Sequence, residues 1–308
     1  MTTLSGSEPP KEAPQLRPLG VGDIVDRVFA LYRARPGLFL AIAAVPYLVL
    51  VLVIAALTIA FAASMVGFSS ILRDVSVGGS PDPALLASGL VGLGVLALIV
   101  IVFAIVVLSA QSAALIDGMS EGYLGRRITL GQAFRDGFRA APSVIGAGLL
   151  VFVILLVGWG VLIAIMAVSQ QALVILLAVL GGLVATIYFA SATLVAPVVA
   201  TIEHVGPIAA LQRSWALSTG NRWRIIGIQL LLVILNAVIS ALLSAVFVTT
   251  LFGDTTTRTI FQQIANLIAS VAWAPVQWGT FAILYYDLRV RREAFDLTFA
   301  AEALPRQP

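Results

Sequence analysis

Five long stretches of this chain carry no charged residue: residues 38–72, 84–116, 140–202, 225–253 and 259–286. A helix crosses ~30 Å of hydrocarbon with about 20 apolar residues, and inside lipid it must satisfy its backbone hydrogen bonds within the segment. The stretches therefore predict membrane-spanning helices. Four are single spans. The third, 140–202, is about twice as long and predicts two spans, with the turn at Ser169-Gln170-Gln171, the only polar cluster near its middle. The fold expected is all-α: a polytopic membrane protein of six transmembrane helices arranged as three hairpins.

The charges fix an orientation for those spans. Sixteen of the 18 Lys and Arg residues fall in four clusters, before residue 38, around residues 126–139, across 213–224 and after 286. An even number of spans puts all four clusters on one side and leaves Arg73 and Arg258 opposite. The positive-inside rule makes that side the cytoplasm, with both termini there. Hydrophobic residues at 60%, charged residues at 11% and a mean hydropathy of +1.05 exclude an ordinary soluble domain. The net charge of +3 asks for no nucleic-acid partner, because the basic side already faces anionic lipid headgroups. Cysteine is absent, which removes disulfides, thiol chemistry and Cys-ligated metals. A single Lys against seventeen Arg points to a GC-rich bacterial genome and so to a bacterial plasma membrane. The first residues lack the apolar core and cleavage site of a signal peptide. Residues 1–16 read as a Pro-rich, disordered cytoplasmic tail and 298–308 as a second tail.

Between the tails, residues 17–297 form one domain built from three related units, about 17–117, 124–202 and 205–287. Each unit is a short amphipathic segment followed by an apolar hairpin. In the first segment Val21, Ile24, Val25, Val28, Phe29 and Tyr32 recur at helical spacing, with Asp23, Asp26, Arg27 and Arg33 on the other face. In the second, Leu130, Ala133, Phe134, Gly137, Phe138 and Ala141 repeat the spacing. Both segments end in a proline, Pro36 or Pro142, where the helix is expected to stop. The third is looser, with Ile208, Leu211 and Trp215 on its apolar face and Gly220 as its stop. Such segments are expected to lie in the inner-leaflet interface.

Three motifs carry a resemblance: RPLG followed by GDIVDRVFALYR, then GPIAALQRSWALSTGNRWRIIG, and the closing LYYDLRVRREAFDL. Through them the chain resembles the six-helix family named for the glycerophosphoryl diester phosphodiesterase membrane domain, in its stand-alone actinobacterial form. The likeness covers residues 17–297. It implies a membrane half without the catalytic half, since that domain's chemistry uses paired histidines with acidic ligands and this chain has one histidine.

Candidate chemistry is sparse. His204 beside Glu203 could shuttle a proton, yet it has no nucleophile or third ligand nearby and reads as a polar pair at a membrane exit. Gly89, Gly92 and Gly94 follow no strand and read as close helix packing. No catalytic residue, metal ligand or cofactor is assigned. A polar stripe is more telling. Gln263, Asn266, Ser270, Trp273, Gln277 and Thr280 share one face of the last span, and Gln229, Asn236, Ser240 and Ser244 follow a similar line on the fifth. A turn near Thr256 sets Asn236 level with Gln277. The stripe is either a polar pathway between helices, helped by Pro275, or interhelical hydrogen bonding that holds two spans together.

Two functions follow. The leading expectation is a non-catalytic membrane scaffold or accessory subunit that holds anionic phospholipid and docks envelope-associated proteins. Its lipid contacts are expected at Arg27, Arg33, Arg35, Arg135, Arg139, Arg213, Arg222 and Arg224. The alternative is a permease or lipid-handling transporter that uses the polar face between the fifth and sixth spans.

Overall fold

The computed structural model describes residues 18–64, 83–169, 171–248 and 255–294. Several sequence expectations fall outside them: both tails, Lys11, Arg17, Arg73, Gln170 and the side chains of Ser244 and Arg258. Among the described residues the chain forms nine α-helices and no strand. In chain order these are α1 (Val21–Ala34), α2 (Pro36–Ser64), α3 (Pro83–Tyr123), α4 (Leu130–Ser169), α5 (Ala172–Thr193), α6 (Ala196–Ile202), α7 (Pro207–Ser218), α8 (Arg222–Val248) and α9 (Thr255–Glu293). Six spans are long and apolar enough to cross a membrane: α2, α3, α4, α5 running into α6, α8 and α9. The chain is a multi-pass membrane protein.

Three hairpins form as expected, α2 on α3, α4 on α5 and α8 on α9. The turn between α4 and α5 falls where the polar cluster predicts it. α9 is the central helix, packed against α1, α2, α3 and α8, and its residues 279–288 are all buried. Around it Ile42, Leu115, Met119, Ile228, Ile283 and Leu284 make a close-packed core at the basic end of the bundle. α4 and α5 lie at the periphery, with Phe152, Leu156, Leu177 and Val184 turned outward. In a bilayer those side chains meet lipid tails, which a helix hydrophobic all round requires.

Two of the amphipathic segments depart from expectation. α1 does stop before Pro36, and its Ile24 and Val28 are fully buried, but in the protein core instead of in lipid. Its apolar stripe is narrow enough to be covered by α9, α3 and α2. The second segment does not end at Pro142. α4 runs straight through it, although the proline leaves the Phe138 carbonyl without its helical donor. What carries the helix across is a face of small residues on both sides of the proline: Ala133, Gly137, Ala140, Ala141, Val144 and Ala147. That face packs tightly on α3. A Cβ on Gly137 would lie 2.6 Å from the Ala110 carbonyl oxygen and 2.9 Å from the Ala114 Cβ. In the third segment α7 buries Ala210, Ser214, Leu217 and Ser218, while Ile208 and Trp215 face outward. The small residues are inside because Ser214 Oγ must approach the Ala192 carbonyl, to which it donates at 2.8 Å. Gly220 follows with φ +81°, the left-handed stop expected of it.

Candidate functional site

The polar stripe opens onto a cavity of about 470 Å³ lined by four helices. α8 contributes Asn236 and Ser240, and α9 contributes Asn266, Ser270, Trp273, Gln277 and Trp278. α2 adds Tyr47, and α3 adds Leu108 and Gln111. Asn236 and Gln277 thus reach one level, as the helical register predicts. Gln263 lies just outside, in a neighbouring groove, and Gln229 is half-buried on α8 closer to the basic end.

Among the described residues the stripe side chains that line the cavity are not bonded to one another across the two helices. No hydrogen bond there joins Asn236 or Ser240 to Asn266, Ser270 or Gln277. The bonds present stay within α9, from Ser270 Oγ to the Asn266 carbonyl at 2.8 Å and from Gln262 Nε2 to Asn266 Oδ1 at 3.2 Å. Amide and hydroxyl groups that face an opening at membrane depth need a polar occupant, either water or a ligand. Gln111, buried to 3% exposure, is fixed by donating from Nε2 to the Ala43 carbonyl at 2.8 Å. That carbonyl adjoins the one at Ile42, which Pro46 leaves without a donor.

Toward the basic end the cavity abuts the buried run of α9. Gln277 is about 15 Å along α9 from Asp287, and exposed Asn266 about 31 Å, at 1.5 Å per residue. Below Gln277 the buried run of α9 shuts the way, starting with Trp278 edge-on to Phe281 at 5.6 Å. The arrangement is a blind vestibule.

At the basic end two ion-pair networks hold the bundle. The Asp287 carboxylate, wholly buried, meets Arg224 at 2.6 Å and Arg291 at 3.1 Å. The same carboxylate accepts the Leu19 N–H at 2.8 Å, and both guanidiniums donate back to the Leu19 carbonyl. In the second network Glu203 accepts from Tyr285 Oη at 2.8 Å and from Arg213 Nε at 3.1 Å. Arg213 reaches on to Glu293, whose hydrogen bond, more than any other contact, pushes the guanidinium pKa further up. His204 takes no part in this pair. It sits exposed at φ +52°, between α6 and α7, while its neighbour's carboxylate is engaged elsewhere.

The eight candidate lipid-contact arginines therefore divide. Arg213 and Arg224 sit in the networks. Arg222 is stacked between rings, 3.8 Å from the Tyr188 centroid and 4.3 Å from Trp215, and Arg27 lies 5.7 Å from the Tyr123 ring. Arg33, Arg135 and Arg139 are exposed, the last paired loosely with Asp136 at 3.6 Å. Arg35 joins Arg126 in lining a cavity of about 200 Å³ between α1, α2 and α3.

Sequence reasoning missed Tyr47, Gln111 and Asp287. Gln111 had a readable signal, being the only amide in the charge-free stretch 84–116. Asp287 looked like one more charge at a membrane exit, because a clamp on a backbone 268 residues away leaves no local pattern.

Residues 129–288, just over half of the 308-residue chain, match the family described as Domain of unknown function (DUF7847). The chain belongs to this family. The DUF7847 match takes in all of α4 and runs on to the buried part of α9, so it includes the α8–α9 half of the vestibule together with Glu203, Arg213, Arg224 and Asp287. The α2 and α3 walls, which supply Tyr47, Leu108 and Gln111, lie before the matched residues. No curated protein and no solved structure matches the chain.

Proposed function

We propose that this protein is a non-enzymatic, multi-pass protein of the bacterial plasma membrane, with cytoplasmic termini, that takes a polar or amphiphilic molecule into the vestibule between α2, α3, α8 and α9. One observation carries the reading: polar side chains from four helices face a cavity of about 470 Å³ without bonding to each other across α8 and α9. That volume falls within the ordinary range of small-molecule sites. A blind end favours holding a ligand over conducting one. The non-catalytic part of the proposal rests on the sequence, with one histidine and no cysteine to build an acid, base and nucleophile set. It also fits the resemblance to stand-alone phosphodiesterase membrane domains.

Native mass spectrometry of protein purified in a detergent without a sugar head tests the proposal. The natural protein is expected to carry an amphiphile that Ser240→Trp, which fills the vestibule, removes. Equal bound mass in the two proteins would overturn the reading.

A second reading, the anionic-lipid scaffold, is favoured by a different observation. Arg135 and Arg139 are exposed on either side of outward-facing Phe138 at the start of α4, as an interfacial anchor requires.

A further inference from the structure

Asn266 and Ser270 also line a second opening, a groove of about 480 Å³ between α2 and α9, whose other walls include Val51, Ile264 and Leu267. The two volumes share these two residues and so lie side by side. One part is lined by amides, hydroxyls and indoles; in the other Thr259 and Gln263 stand among Val51, Ile264 and Leu267, and the surface presented is mainly apolar. Side by side they fit a molecule with a polar head and an apolar tail, and the groove's Val51 and Ile264 are exposed along their spans.

The chemistry of the head follows from what lines the vestibule. Among the described residues that enclose it none is charged. Beside Gln277, about 15 Å along α9 from the basic end, an anionic or cationic head without a counter-charge would bear most of its desolvation cost uncompensated. Asn236, Asn266, Gln277 and Ser240 instead offer both donors and acceptors in number. Trp273 and Trp278 add flat apolar faces beside them. Many uncharged hydroxyls on an otherwise apolar ring satisfy all of these together. Resting on the vestibule reading above, we propose that the ligand is a lipid with an uncharged, polyhydroxylated headgroup, its sugar-like head among Asn236, Asn266 and Gln277 and one chain along Val51 and Leu267.

The test uses the full chain in phosphatidylcholine nanodiscs that contain equal amounts of diglucosyl diacylglycerol and phosphatidylglycerol with matched chains. The protein is released into an amine-oxide detergent for native mass spectrometry, because an alkyl glycoside detergent is itself such an amphiphile. The glycolipid adduct is expected to exceed the phosphatidylglycerol adduct about tenfold. Gln277→Leu and Asn236→Leu, which make the spans more apolar and so favour insertion, are each expected to lower it about threefold to tenfold, the range for one lost hydrogen bond. Ser270→Trp, at the junction of head and tail spaces, is expected to remove it. Phosphatidylglycerol bound equally well and lost equally in Ser270→Trp would overturn the headgroup class while leaving a lipid site in place. Lipid binding unchanged by Ser270→Trp would overturn the site itself. Displacement of the adduct by soluble disaccharide at equal concentration would show that a free sugar is the ligand, and would overturn the lipid assignment.

Discussion

The Asp287 carboxylate, buried on α9, accepts the backbone N–H of Leu19 at 2.8 Å. Arg224 and Arg291, the partners of that carboxylate, donate to the Leu19 carbonyl, so one peptide segment before α1 is gripped on both edges. This clamp explains three separated pieces of sequence at once: the Leu19-Gly20 step, the arginine at the start of α8 and the Asp287 to Arg291 spacing on α9. It seals the basic end of the bundle, below the blind floor of the vestibule.

Removing the acid should be costly. Asp287→Ala leaves two part-buried guanidiniums without their counter-charge and the Leu19 N–H without an acceptor, which is expected to destabilise the protein by about 3 kcal/mol. Asp136→Ala, at the exposed pair with Arg139, is expected to cost under about 0.5 kcal/mol. Thermal unfolding of both variants in the same detergent checks the contrast.

The α3–α4 contact gives a second test. Gly137→Ala places a methyl group against the Ala110 carbonyl and is expected to destabilise by about 1–3 kcal/mol. At Gly148 nothing lies within 4 Å of the added atom, so Gly148→Ala is expected to be neutral or to stabilise by up to about 1 kcal/mol. Equal unfolding temperatures for the two variants would mean that α3 and α4 pack less closely than described.

Orientation is tested with reporters. A periplasm-dependent reporter fused at the C-terminus is expected to stay inactive, and one fused near Arg126 likewise, because reversing the topology would export sixteen basic residues. Activity at either site contradicts the six-span arrangement with cytoplasmic termini.

The exposed arginines at the start of α4 make a separate claim. Each Arg near an anionic leaflet contributes about 1 kcal/mol. Arg135→Gln combined with Arg139→Gln is expected to lower co-purifying anionic phospholipid without loss of insertion. Arg213→Gln is expected to act instead through stability, since it breaks the pairs with Glu203 and Glu293.

Much of this architecture is written in the sequence because membrane physics is local. Apolar run length places the spans, the polar cluster at Ser169 places a turn, and helical register brings Asn236 level with Gln277. Other features depend on what a segment meets after folding. Pro142 predicts a break, yet the small-residue face shared with α3 holds α4 together. Ile208 and Trp215 are legible as the apolar face of α7 and stay exposed, whereas the burial of Ser214 and Leu217 depends on the Ala192 carbonyl and the core that they meet. The stripe on α8 and α9 was legible as polar, whereas its opening into a cavity depends on Tyr47 and Gln111, contributed by helices far away in sequence.

The natural chain contains no cysteine, so a single introduced thiol reports on one position without background. Reaction of Ser240→Cys with a small hydrophilic thiol reagent, in membranes, tests the vestibule most directly. Leu242→Cys, whose parent side chain is exposed at 64% on the lipid-facing side of α8, is the comparison. Rapid labelling at Ser240, slowed when the polyhydroxylated lipid is added, with little labelling at Leu242, is the result expected. Labelling of Ser240→Cys as slow as that of Leu242→Cys would mean that α8 and α9 close on each other in the bilayer, and that no polar vestibule exists there.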